Sequence, residues 1–299
     1  MRKRTSTGTL PMIIQFIHPG REYQVTNETN GPINIPWVGG SCDTSCGGHS
    51  RRLVSHKGDY VDSTRKVKTS QLAFWTEWEA CTTAVAMSAA PNDQFSAHWV
   101  HTIKTPLVKN PGTLNTDPCV FGSTFKYCCC QQTENGTMRK LAPGSLILFG
   151  SHMGGRFFLD TLFVIDGTGI PYEGGKPDKI SVSMEYRQLA LKRLNGGKLT
   201  FYRGKAFRSA DKGQPYSFTP VRLFDAKDPR CGERFSLDLV QLNKCLPPER
   251  CVRQFAPGLN QKFKAINADP NIVSVVWKEI VRQVLGAKFF LGVHFDWPQ

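Results

Sequence analysis

Two carboxylates and two indoles stand within five residues in Trp75-Thr76-Glu77-Trp78-Glu79. On a β-strand Trp75, Glu77 and Glu79 share one face, and Phe74, Thr76 and Trp78 share the other. Same-face neighbours two residues apart lie about 7 Å from each other, close to the roughly 6.5–9.5 Å at which one carboxyl group protonates while a second activates water. Rings alongside desolvate a carboxyl group and favour its protonated form. The same spacing also suits two solvent-facing acids paired with the many Lys and Arg side chains.

Three further constellations carry chemistry-bearing types. His18-Pro19-Gly20-Arg21-Glu22 closes a strand-like run, where His18 can serve as a base and Glu22 as its orienter, or His18 can simply be hydrogen-bonded in a turn. Cys42, Cys46 and His49 supply three zinc-type ligands within eight residues, and a zinc ion would draw a fourth from His56 or from the Cys128-Cys129-Cys130 run. Asn115-Thr116-Asp117-Pro118 is a turn signature, and Asp117 either bonds the following backbone or presents a carboxylate to a ligand. As for the cysteines themselves, ten in 299 residues fit reduced, buried thiols that pack as small hydrophobes. On a strand Cys128 and Cys130 would face one way and Cys129 the other.

Charge supplies the last constellation. The chain carries +14, and Arg2, Lys3 and Arg4 account for three of these, leaving +11 on the remainder. Such an excess attracts polyanions such as nucleic acid, and it also describes a solvated basic surface. Between residues 187 and 212, Arg187, Lys192, Arg193, Lys198, Arg203, Lys205, Arg208 and Lys212 stand against Asp211 alone, a local +7. Tyr186, Phe201, Tyr202 and Phe207 interleave them. Aromatics that stack on bases while cations follow the phosphates are what single-stranded or flipped-base binding uses; in the competing arrangement the rings enter the core.

These residues must be positioned by a mostly folded chain, since 40% of it is hydrophobic and 21% charged. Strands are expected at 12–17, 72–79, 199–203 and 289–295, and a hairpin at 146–150 and 157–165 turning at Gly154-Gly155. A short helix is expected over 184–194. The clearest helix follows Asp269-Pro270, with Val273, Val276, Trp277, Ile280, Val281 and Val284 at helical spacing and Gly286 as its stop. No strand-helix alternation of the doubly wound kind is visible. The expected fold is therefore α+β, with a β-rich core, either a small barrel or a twisted mixed sheet, decorated by helices. Residues 1–11 are expected as a disordered basic extension and 12–299 as one compact domain, with a possible subdivision near residue 206. No stretch reaches the roughly 18 apolar residues of a membrane span, and the N-terminus lacks the apolar core of a secretory signal, so the expected compartment is the cytoplasm.

Four segments, His18-Pro19-Gly20-x-Glu22, Phe74-Trp75-x-Glu77-Trp78-Glu79, Asn115-Thr116-Asp117-Pro118-x-Val120-Phe121-Gly122 and Pro143-Gly144-Ser145-Leu146-Ile147-Leu148-Phe149-Gly150-Ser151, together resemble a bacterial family of nucleotide-modification-associated, or DNA base hypermodification, proteins. The resemblance spans residues 12 to 165, with fainter similarity at Tyr202-Arg203-Gly204 and Ser217-Phe218-Thr219-Pro220. It implies a basic intracellular bacterial protein that recognises or chemically processes modified bases, with DNA or a nucleotide as partner. Residues 143–149 are also similar to the Gly-Asp-x-x-hydrophobic strand of PUA-like barrels that read modified bases, with Ser145 in place of the aspartate. Fold analogy does not fix a reaction. An enzyme on a soluble nucleotide or sugar using paired glutamates, and a non-catalytic nucleic-acid-binding module, are the alternative expectations. In either nucleic-acid reading, Trp75, Asp117, Arg187, Arg193, Lys198, Tyr202, Arg203 and Arg208 are the expected ligand contacts.

Overall fold

The computed structural model describes residues 10–17, 51–77, 82–89, 93, 95–103, 117–174, 176, 180–187, 191, 197–210, 213–246 and 263–298. Its strands are β1 (Met12–Ile17), β2 (Arg51–Val61), β3 (Val67–Glu77), β4 (Thr82–Ala86), β5 (Trp99–Ile103), β6 (Lys126–Tyr127), β7 (Leu146–Met153), β8 (Arg156–Glu173), β9 (Lys198–Gly204), β10 (Thr219–Leu223), β11 (Ser236–Leu237), β12 (Phe263–Asn267) and β13 (Phe290–Phe295). The helices are α1 (Met184–Tyr186), α2 (Leu239–Asn243) and α3 (Pro270–Gly286). The fold is α+β and rich in strands, ending in a helix and a strand, and among the described residues its core is two mixed sheets with no closed barrel.

Seven described strands form one sheet in the order β12-β1-β7-β8-β9-β6, with β11 added on β8, and six form a second in the order β13-β10-β3-β2-β5-β4. The first sheet is a middle layer. One of its faces, with Ile14, Phe16, Ile147, Phe149 and Phe163, meets Val54, Leu72, Phe74 and Phe295 of the second sheet in the main core. Its other face, with Ile13, Leu146, Leu148 and Val164, packs on Val273, Val276, Trp277, Ile280 and Val284 of α3. A strand covered on both faces loses the inside–outside alternation, and β1 has four consecutive buried residues at its centre, Ile13, Ile14, Gln15 and Phe16.

α3 forms where the apolar spacing places it. Pro270 occupies the first turn, and the Asp269 carboxylate accepts hydrogen bonds from the backbone N–H of Asn271 (2.9 Å) and Ile272 (3.0 Å). Burying its five apolar side chains contributes roughly 1.5–3 kcal/mol each before entropy is counted. The β7–β8 hairpin turns at Gly154 and Gly155, both with positive φ. Ser145, which stands where the barrel pattern has aspartate, accepts the N–H of Met12 (3.0 Å) and donates to the Ala142 carbonyl (2.7 Å), tying β1 to the start of β7. Beyond residue 206 the chain contributes β10 and β13 to the second sheet and β12 to the first.

A bulge interrupts this hairpin. Phe149 pairs with Thr161 but Gly150 pairs with Leu159, so Asp160 is an extra residue on β8. Bulges re-aim side chains. Glycine at position 150 permits it, because a Cβ there would lie 2.0 Å from the Phe158 carbonyl oxygen.

Candidate functional site

The re-aimed Asp160 carboxylate, 8% exposed, reaches the second sheet. There the Arg51 Nε donates to its Oδ2 at 2.6 Å, and Arg234 Nη2 lies 3.3 Å from its Oδ1. Arg234 also donates to Ser151 Oγ at 2.8 Å, and its guanidinium lies over Trp75 and Phe158, 5.1 and 4.6 Å from their ring centroids. Arg51 faces Glu77 directly in the β2–β3 ladder, which sets Arg51 Nη2 3.9 Å from Glu77 Oε2. Arg51, Glu77, Asp160 and Arg234 are all buried. Two guanidinium groups and two carboxylates, brought from three strands and the 229–235 segment, thus come together among the described residues where β2 begins and β3 ends.

The surroundings are polar and buried as well. Arg52 is buried beside the Arg51 position, and His101 on β5, paired with Val54, is pushed down to about 3 by burial and then by the Arg52 charge, so its ring is neutral at pH 7. On β1, wholly buried Gln15 places its amide nitrogen 3.2 Å from His152 Nε2. Ile17 at the end of β1 pairs with Gly150, which puts that strand end next to Ser151.

Some of the expected residues lie in this cluster and others lie elsewhere. Glu77 and Trp75 lie in this cluster, but the indole N–H of Trp75 bonds the Gly232 carbonyl (3.3 Å) and Arg234 covers its ring, so it holds an arginine rather than offering a stacking face. Glu79, His18, Glu22, Arg193, Cys42, Cys46 and His49, and with the last three the expected zinc set, lie outside the described residues. Sequence reasoning missed Arg51, Asp160 and Arg234. One signal was available: Asp160 is the lone acid in Phe157-Phe158-Leu159-Asp160-Thr161-Leu162-Phe163-Val164-Ile165, where an unpartnered charge would be prohibitively costly.

Three of the aromatics that interleave the basic interval, Tyr186, Phe201 and Tyr202, are buried. Tyr202 is buried, stacked on Tyr127 at 5.8 Å with its hydroxyl accepting the Leu141 N–H (3.0 Å), and Phe201 and Tyr186 pack edge to face in the core. Leu199 to Tyr202 are all buried because β9 belongs to the middle layer, so the aromatics turn inward and the cations turn out. Arg187 donates to the Ile180 carbonyl and Arg203 to that of Ser181, while Lys198 sits exposed beside Glu173 and Lys176 around an open cavity. Arg208 is exposed in a separate pocket, with Phe207.

Asp117 takes the backbone role. Its buried carboxylate accepts the N–H groups of Cys128 (2.9 Å), Cys129 (2.6 Å) and Cys130 (2.9 Å), so those cysteines wrap around it rather than alternating as they would on a strand. Burial pushes the thiols of Cys128 and Cys129 up, consistent with reduced, unreactive side chains. Asp117, Cys129 and Cys130 do present three ligand atoms within 4.8 Å of one another. Three N–H dipoles aimed at the carboxylate oppose a cation, and the group reads as a turn cap. Asp117→Ala should destabilise the fold by about 2–5 kcal/mol by taking their acceptor from the buried N–H groups of Cys128 and Cys129; a urea midpoint unchanged from wild type contradicts this.

Compared with known proteins, the chain matches no family model, no curated protein and no solved structure. Geometry and charge therefore carry the functional reading.

Proposed function

We propose that the chain binds DNA and chemically processes a modified base at the Arg51–Glu77–Asp160–Arg234 cluster, with Glu77 as the acid–base residue. The observation that carries this reading is the burial of two arginines and two carboxylates where strands of both sheets end. Buried ion pairs lose several kcal/mol per ion to desolvation, and apolar replacements are often as stable or more so. A folding core does not require them, whereas a reacting site gains from fixed charges held away from water.

Within the cluster the roles divide by geometry. Asp160 fixes both guanidinium groups, Trp75 and Phe158 hold Arg234 from its faces, and Arg51 then sets a positive charge 3.9 Å from Glu77. A carboxylate so placed can accept a hydrogen bond from a ring N–H or exocyclic amine of an extruded base and move a proton on it. The +14 charge of the chain supports a polyanionic partner, as does the resemblance of its segments to base-modification proteins.

If nucleic acid is the partner, affinity for DNA should fall by about tenfold or more between roughly 50 and 200 mM salt as counterions are released. Electrophoretic mobility or fluorescence anisotropy with single- and double-stranded oligonucleotides measures it. Absence of binding, or affinity indifferent to salt, contradicts a nucleic-acid partner and moves the cluster to a soluble substrate.

A further inference from the structure

The opposite end of the β2–β3 hairpin carries a second concentration of charge. Ten steps of about 3.3 Å along β2 place it roughly 30 Å from Arg51. The turn is built by Asp62, whose carboxylate accepts the Thr64 N–H (2.8 Å), the Thr64 hydroxyl (2.5 Å) and Lys68 Nζ (2.7 Å). Arg65 comes next in the left-handed backbone region at φ +60°, a conformation that disfavours L side chains by roughly 1–2 kcal/mol. Arg65 lines a cavity of about 260 Å³ whose other walls come from the turn, from Phe207, Arg208, Ser209, Gly213 and Tyr216, and from α3.

Arg65, Arg208 and Lys278, all exposed, line this cavity, and Phe207, Tyr216 and Trp277 line it as well. Phe207 and Trp277 each pack against Tyr216 with ring centroids 4.9 Å apart, and Trp277 Nε1 donates to the Tyr216 carbonyl at 2.9 Å, so the aromatic floor is braced. Among the described residues no carboxylate pairs with any of the three cations. Asp62, the one acid among the described lining residues, is occupied by Lys68, and on α3 Glu279 bonds Arg282 and Gln283 instead. Three like charges around one small cavity repel until an anion enters.

We propose that this cavity is a ligand site for a nucleoside phosphate unit, its phosphate held by Arg65, Arg208 and Lys278 and its base or sugar against Phe207 and the aromatic floor. A cavity of about 260 Å³ is of the order of one nucleoside. Phosphate recognition by guanidinium groups explains the charge, and the aromatic floor explains why a bare anion would leave part of the cavity unfilled. The unit can be a free nucleotide or the terminal residue of a strand. This cavity stands apart from the Glu77 cluster, and its ligand does not depend on the chemistry there.

Calorimetry separates the possibilities, using a set of 5′-deoxynucleoside monophosphates, the matching nucleosides, inorganic phosphate and a 5′-phosphorylated single strand as probes. A monophosphate should bind the wild-type protein at least about tenfold more tightly than its nucleoside or phosphate alone, each charged hydrogen bond being worth about that factor. The triple variant Arg65→Ala/Arg208→Ala/Lys278→Ala should lose about tenfold or more of that affinity while melting as wild type does, and Phe207→Ala should weaken the monophosphate more than phosphate. Competition by the phosphorylated strand assigns the site to a strand end, and its failure to compete assigns it to free nucleotide. No monophosphate binding, equal affinity in the triple variant, or phosphate binding as tightly as the nucleotide overturns the proposal. None of these results requires base chemistry at Glu77, so the two readings fail separately.

Discussion

Asp160→Ala should destabilise the protein by about 3–5 kcal/mol, the cost of leaving a buried charge without its partner. The reason is the number of groups that depend on this one carboxylate. Arg51 at 2.6 Å and Arg234 at 3.3 Å both lean on it, and both guanidinium groups are buried. Alanine removes the only side-chain acid bonded to them at these distances among the described residues and adds a small cavity. Removing the four charges together should cost far less, so Arg51→Met/Glu77→Gln/Asp160→Leu/Arg234→Met should recover much of the loss, as apolar or neutral replacement of a buried ionic cluster often does. Urea denaturation of both variants measures the difference. A single-variant loss below about 1 kcal/mol, the range of an exposed ion pair, contradicts the buried cluster.

Glu77→Gln should have the opposite profile. Glutamine keeps the shape, and Arg51 keeps Asp160, since its short bond is to Asp160 and its separation from Glu77 is 3.9 Å. Stability should change by less than about 1 kcal/mol, as for most substitutions that open no cavity and orphan no charge. Activity should fall by about 10²–10⁴, the usual contribution of a positioned acid–base group. A variant that unfolds, or one that keeps full activity, contradicts the role assigned to Glu77.

The parts of the fold legible in the sequence are those whose pattern is local. α3 has its cap, its proline and its apolar stripe within 18 residues, and the β7–β8 hairpin has two apolar runs around Gly154-Gly155. β2 was not legible, because Arg51 and Arg52 look like surface residues by type, and the carboxylate that bonds Arg51 at 2.6 Å comes from distant β8. The aromatics of β9 misled for a related reason. Alternation identifies a buried face only when the other face is wet, and the middle layer of this fold has no wet face over Leu199 to Tyr202.

The candidate site was legible by half. Trp75 and Glu77 could be placed on one strand face from spacing alone, but Asp160 and Arg234, which complete the cluster, stand 83 and 157 positions beyond Glu77 in the chain. No local pattern links those positions. The bulge at Gly150 that turns Asp160 inward is a property of strand pairing, visible only once both strands are in register. Asp117 shows the converse: its turn chemistry was readable, and the structure selects backbone capping over a ligand-facing carboxylate.

The most direct measurement is nucleoside mass spectrometry of DNA from cells expressing the wild-type chain, the Glu77→Gln variant or neither. The account predicts a base gained or lost with the wild-type chain and a Glu77→Gln profile identical to that of cells lacking the protein. Identical nucleosides in all three samples, or the same change with wild type and Glu77→Gln, would contradict it.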